Sequence, residues 1–401
     1  ATGLFLIQNM GLVTTVTFAG TINISSSTLV ENTALTLKTT GGGSVTVLSS
    51  SENPAHWSIS GYAQLITTQS QGGPVVFAAE TMKMVPGFPT STSAFLFSTQ
   101  SSLNGVGAVT FNVSDSIEVV GVSLLNSQTN TTLQAGSVLS TACTSTWAVW
   151  INGLTSLMVD GDLQILNYTM GALTNSMGSM NVRVGGDFWT SKNTTSGAAA
   201  SSAFSISNTN NSITVGNTFN LSSHDSMQAG GGLRVATNAA LQIRAKNVLF
   251  AGNSASNSNN GGAALLMANG SLTLAATDQI IFQHNSVIGG GYGGAVAMQS
   301  GAVFDSSGSD LSFLYNSAAS GGALYILPEQ ATYFEFAYYE RNRAAQGCIV
   351  YFAGSNNCQR FNITGVHTDN IMTTAFTNSA CPANDFLCSA PPTAPISPPM
   401  S

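Results

Sequence analysis

Residues 261–285 carry the pattern that organises the chain. An apolar run at 263–267 is followed by an Asn269-Gly270 turn. Residues 271–275 then alternate polar and apolar, Thr277-Asp278 interrupts, and 279–282 form a third short run. Period-two alternation over four or five residues, closed by Gly, Asn and Asp, reads as short β-strands. Nothing here follows the 3.6-residue spacing of a helix, which argues against leucine-rich and ankyrin repeats. Three strands are too few for a propeller blade. The segment predicts one coil of a parallel β-helix.

The pattern recurs. Phe250, Phe282 and Phe313 are each followed three residues later by Asn253, Asn285 and Asn316, and then by Gly-Gly-Ala at 261–263, 293–295 and 321–323. A worn copy holds Tyr339, Asn342 and Gln346-Gly347-Cys348. The Asn residues step by 32, 31 and 26. A near-constant step of this size marks one supersecondary unit stacked on itself, a solenoid. The same rhythm predicts coils through 230–235, 240–243 and 247–250, and through 205–207, 212–215 and 218–221. It continues less regularly through 180–184, 162–166 and 106–126. The expected organisation is a β-rich N-terminal segment or first coils over 1–100 and an all-β, right-handed parallel β-helix body over 101–350. A disulfide-bearing C-terminal cap over 351–388 and a Pro-rich tail over 389–401 complete it.

Gly pairs permit tight corners and close approach between coils. Asn253, Asn285, Asn316 and Asn342 are expected to face inward as a ladder of stacked amides bonding along the axis. Phe250, Phe282 and Phe313 are expected to stack inside the same coil face.

Recurrent Gly-Gly-Ala with Phe-x-x-Asn, over roughly residues 230–350, resembles the repeats of the chlamydial polymorphic outer membrane proteins. The resemblance implies a right-handed parallel β-helix and an adhesive or surface role. The chain departs from that family at its C-terminus, where no alternating ~10-residue segments read as a transmembrane barrel. Autotransport and outer-membrane anchoring are therefore not implied.

Composition narrows the setting. Only 7% of the 401 residues are charged, against about 25% in typical soluble domains. Ser and Thr number 95, beside 34 Asn and 41 Gly, so hydroxyls and amides replace charge on the surface. Such a surface needs covalent glycans or burial in an assembly for solubility. The net charge is −7, and Lys38 and Lys83 are the only basic residues before Arg183. That balance excludes nucleic acid as a partner. No apolar run reaches 18 residues, so no transmembrane helix is expected. The opening Ala1-Thr-Gly-Leu-Phe-Leu-Ile reads as a processed, mature start.

Cys348, Cys358, Cys381 and Cys388 crowd the C-terminal region. Their spacing suggests the local pairs Cys348–Cys358 and Cys381–Cys388 among three possible connectivities, in an oxidising setting. Cys143 reads as a small core residue. Nine Asn-x-Ser/Thr sequons occur, at Asn23, Asn112, Asn130, Asn167, Asn193, Asn210, Asn220, Asn269 and Asn362. None coincides with the ladder positions. The tail from Ser389 is polyproline-like and does not pack as a strand.

Together these features point to an extracellular, cell-surface structural glycoprotein without a cofactor. It is expected to be a subunit of a fibre, appendage or coat whose partner is itself, joined end to end or by strand addition. Leu4, Phe5, Leu6 and Ile7 open an uncharged extended segment. It serves either as the first coil's own strand or as a strand added to a neighbour. A second reading is an adhesin or carbohydrate-binding module using Trp147, Trp150, Trp189 or Tyr292 on extracellular glycans. A third is a polysaccharide lyase or glycoside hydrolase, which needs converging carboxylates and bases. Asp160 and Asp162 are the one close acidic pair in the body, and their Asp-Gly context is that of a turn. The His residues at 56, 224, 284 and 367 are scattered, and no catalytic or metal-binding set is expected.

Overall fold

The computed structural model describes residues 5–10, 13–18, 20–26, 33–40, 44–61, 64–70, 74–85, 95–101, 108–143, 147–192, 201–227, 229–256, 260–306, 308–327, 334–352, 363–368 and 370–372. Among them the chain is all-β with no helix, and its strands stack in parallel as a β-solenoid. Accordingly no helix among the described residues is long and apolar enough to cross a membrane.

One coil shows how the sequence builds the rest. Ala264–Leu266 lies on the first face. Ser271–Gln283 then runs as a single strand of 13 residues over the second and third faces. The two strands expected there are thus continuous. They turn a corner where the ladder register shifts, opposite Ala245 and Asn247 of the preceding coil. In that preceding region the two faces are separate strands: Asn211–Val215 and Thr218–Ser222 both pair with Ala240–Ala251. Ser286–Val287 adds a short fourth ladder that the hydrophobic pattern does not reveal. Two residues are too few to show a period, and tertiary stacking alone makes them a strand. Among the described residues the first face holds 13 strands and the short ladder six.

The N-terminal strands lie in the same ladders as the body. Phe5–Met10 pairs with Thr33–Thr40, which pairs with Gln64–Ser70, which pairs with Phe95–Ser101. At the other end coiling continues past residue 350. Ile363–Thr368 extends the third face and Ile371–Met372 the short ladder.

The two glycines of each Gly-Gly-Ala serve different ends. The first, at Gly261, Gly293 and Gly321, has φ of +74°, +71° and +67°. A side chain is disfavoured in that left-handed region. The second has ordinary φ but touches the next coil. A Cβ on Gly262, Gly294 or Gly322 would sit 2.1 Å from the carbonyl oxygen of Gly294, Gly322 or Cys348 respectively. The Ala that follows is fully buried at 263, 295 and 323.

Among the described residues most of the buried apolar side chains form one column, and Leu265, Ala297 and Tyr325 form a smaller cluster apart from it. Phe250 stacks on Phe282 at 4.7 Å and 4°, and Phe282 on Phe313 at 5.2 Å and 15°. Tyr339 continues the stack at 5.3 Å from Phe313. Each such pair is worth about 0.5–1.5 kcal/mol beyond its area burial. Cys143 is buried as expected, its Sγ 3.4 Å from Ser123 Oγ. Cys348 is also buried. Cys358, Cys381 and Cys388 lie outside the described residues, so both expected pairings do too.

Candidate functional site

Beside the aromatic column runs a polar one. Asn253, Asn285, Asn316 and Asn342 are all fully buried. Asn285, Asn316 and Asn342 each make the same four bonds, and Asn253 makes three of them. Asn285 Nδ2 donates to Asn316 Oδ1 at 3.0 Å and to Phe250 O at 3.0 Å. Its Oδ1 accepts from Asn253 N at 3.0 Å and from Asn253 Nδ2 at 3.1 Å. Two donors and two acceptor positions are thereby used, which is the full capacity of an amide. Burial of a polar group is tolerated on that condition.

The ladder is longer than the repeat spacing shows. Asn342 N and Nδ2 donate to Asn370 Oδ1, whose own Nδ2 reaches Tyr339 O. Asn370 stands 28 residues after Asn342, a step like the others. The residue three before it is His367, not Phe, which hides it from a Phe-x-x-Asn search. At the other end the rung before Asn253 is His224, whose backbone N donates to Asn253 Oδ1 at 3.2 Å.

His224 opens a buried polar cluster. Its ring is 5.3 Å from that of Tyr168, and its Nε2 donates to Ser201 O at 2.9 Å. Nδ1 is buried without a hydrogen-bond partner among the described residues. Burial pulls the His224 pKa down to about 4, with the Ser201 carbonyl opposing and Lys192 assisting. Burial likewise pushes the Tyr168 phenol up and the Lys192 ammonium down.

The sequons divide by exposure. Asn112, Asn130, Asn167, Asn210 and Asn269 are exposed. Asn167, Asn210 and Asn269 sit at turn positions with φ of 57°, 61° and 55°. Asn220 is only half-exposed, within Thr218–Ser222, and its Oδ1 is buried. Asn193 and Asn362 lie outside the described residues, and Asn23 is described only as part of the strand Thr21–Ser26.

The aromatics considered for glycan binding do not converge. Trp147 and Trp150 stand on the first face, whereas Trp189 is on the third, 46% exposed. Tyr292 stacks on Tyr325 at 4.5 Å, away from the tryptophans. Among the acids, Asp162 Oδ1 accepts from Asp187 N at 2.9 Å, and Asp187 Oδ1 accepts from Thr218 N at 2.9 Å. Asp162 is thus a corner group that bridges coils. Phe5, Leu6 and Ile7 pair with Leu35, Thr36 and Leu37 of the same chain, and Leu4 lies outside the described residues.

A groove of about 630 Å³ remains on the second face. Its floor is set by register. Met158, Arg183, Thr214 and Arg244 occupy one outward column across four coils. Asn181, Ser212 and Gln242 form the next, with Ser212 Oγ donating to Asn181 Oδ1 at 3.1 Å. Arg183 and Arg244 are exposed, and neither has an ion pair or hydrogen bond to another described side chain. Sequence reading passes over both because they stand 61 residues apart in the chain and meet only through stacking. No family model matches this chain, and no curated protein or solved structure shows detectable similarity to it.

Proposed function

We propose that this protein is an extracellular structural glycoprotein, a self-assembling subunit of a fibre, coat or surface appendage, without catalysis or cofactor. The observation that carries this reading is the axial hydrogen-bond ladder from His224 to Asn370. It ties successive coils together from inside, on top of the backbone ladders at every face. A rod reinforced along its axis suits a load-bearing element. Five exposed sequon asparagines on a charge-poor surface support glycan attachment outside the cell.

Coil stacking also supplies the means of assembly, since a strand edge that accepts the next coil accepts another copy. Phe5–Met10 is already paired within its own chain. That favours end-to-end stacking over donation of this strand. The reading includes a right-handed coil, the hand that parallel crossovers adopt. It also includes a C-terminal cap closed by Cys348–Cys358 and Cys381–Cys388, and keeps the family resemblance to the polymorphic outer membrane protein repeats.

Electron microscopy of the native, untagged material tests the proposal. Filaments with an axial repeat matching one solenoid support it. Dispersed single rods at all concentrations overturn it.

A further inference from the structure

The groove on the second face has features that a structural rod does not need. Two of the chain's 10 basic residues, Arg183 and Arg244, stand in one column of it. They belong to strands two rungs apart, with exposed Thr214 between them. At about 4.8 Å per rung their backbones are about 10 Å apart along the axis. Neither guanidinium is neutralised by a described neighbour, whereas Lys83 is paired with Glu118 at 2.7 Å and Arg341 lies 3.7 Å from Glu340. Asp160 is the one carboxylate in the lining.

We propose that this groove binds a linear acidic glycan lying along the solenoid axis, with carboxylates of its uronic acid residues on Arg183 and Arg244. The planar guanidinium fork matches a carboxylate in two parallel hydrogen bonds. Placing two forks on one axial column selects a ligand that repeats its charge along a line. The flanking amides and hydroxyls of Asn181, Ser212, Thr214 and Gln242 both donate and accept, as sugar hydroxyls require.

Two other polymers fit less well. Met180–Val184 is already paired on both edges, with Thr155–Val159 and Asn211–Val215. A peptide therefore finds no free strand edge to extend. A nucleic acid carries a phosphate at every nucleotide and needs many cations along its backbone, and the groove offers two arginines. The inference stands apart from the assembly reading, and either can fail alone.

Calorimetric titration of the full chain tests it with three probes of equal length: oligogalacturonate, its methyl-esterified and therefore neutral form, and a sulfated oligosaccharide. Oligogalacturonate is expected to bind, and to weaken about tenfold in each of Arg183→Gln and Arg244→Gln. The double variant should fall to baseline, while Arg341→Gln, away from the groove, leaves binding unchanged. Both groove arginines are exposed, and unchanged circular dichroism will show that the variants fold. Equal binding of the esterified form overturns the proposal, as does wild-type affinity in the double variant. Preference for the sulfated chain overturns the carboxylate assignment, and absence of oligogalacturonate binding overturns it outright.

Discussion

Asn285 and Asn316 sit one coil apart with Asn316 Oδ1 accepting both the backbone N and the Nδ2 of Asn285, each at 3.0 Å. One side-chain oxygen thus closes a local backbone position and links the next rung. The arrangement is all or nothing, because every amide depends on the one above and the one below.

Asn285→Ala should therefore cost far more than one hydrogen bond. It removes the acceptor of Asn253 N and Nδ2 and the donor to Phe250 O. Each of the three orphaned buried groups costs about 1–3 kcal/mol, so a loss of at least about 3 kcal/mol is expected. Asn285→Asp keeps the acceptor, loses both donors and buries a charge, and should be no milder. Denaturant unfolding of both variants checks this. An Ala variant within 1 kcal/mol of wild type would show that water or repacking replaces the ladder.

Gly294→Ala should destabilise through steric overlap alone. Its Cβ would lie 2.1 Å from Gly322 O, so two coils must separate. A cost of at least about 1–3 kcal/mol follows, as for overpacked cores. Gly308 has φ +76° and nothing within 4 Å of an added Cβ. Gly308→Ala should cost only the left-handed conformation, about 1 kcal/mol. Melting temperatures in the reverse order would show that the coils yield at Gly294.

His224 should make the protein acid-sensitive. Its folded pKa of about 4 lies below the usual 6.5, so the folded state holds the neutral ring. Its contribution is fully present above pH 6.5 and is lost as pH falls from there towards 4. Between pH 6.5 and 5 the loss amounts to about 2 kcal/mol. His224→Gln should flatten that part of the stability profile. An unchanged slope in His224→Gln would assign the acid sensitivity to other groups.

Glycan occupancy should follow exposure. Expressed through a eukaryotic secretory pathway, the chain should carry sugar at Asn112, Asn130, Asn167, Asn210 and Asn269, and far less at Asn220, which is half-buried within the strand Thr218–Ser222. Enzymatic deglycosylation in heavy-oxygen water followed by peptide mapping reads each site. Full occupancy at Asn220 would mean that glycans are added before this coil closes. The same digest, run without reduction, tests Cys348–Cys358 and Cys381–Cys388.

The repeat of Phe250, Asn253 and Gly261-Gly262-Ala263 was enough, from sequence alone, to specify a parallel solenoid, an inward Asn ladder and a stacked aromatic face. These are legible because each coil reuses one solution to the same local problem, so the residues recur at nearly equal steps. Sequence also separates the sequons from the ladder, because an amide buried in the column has no room for sugar.

What tertiary structure alone decided is whatever depends on neighbouring coils rather than on the coil itself. The division of labour within Gly261-Gly262 appears only when Gly294 O approaches the second glycine. His224 and Asn370 join the ladder through position, though their local sequences differ from the repeat. Arg183 and Arg244 become neighbours only through the parallel register of Met180–Val184, Asn211–Val215 and Ala240–Ala251. In a solenoid a surface column is written once per coil, so its chemistry is scattered along the chain until stacking brings it into line.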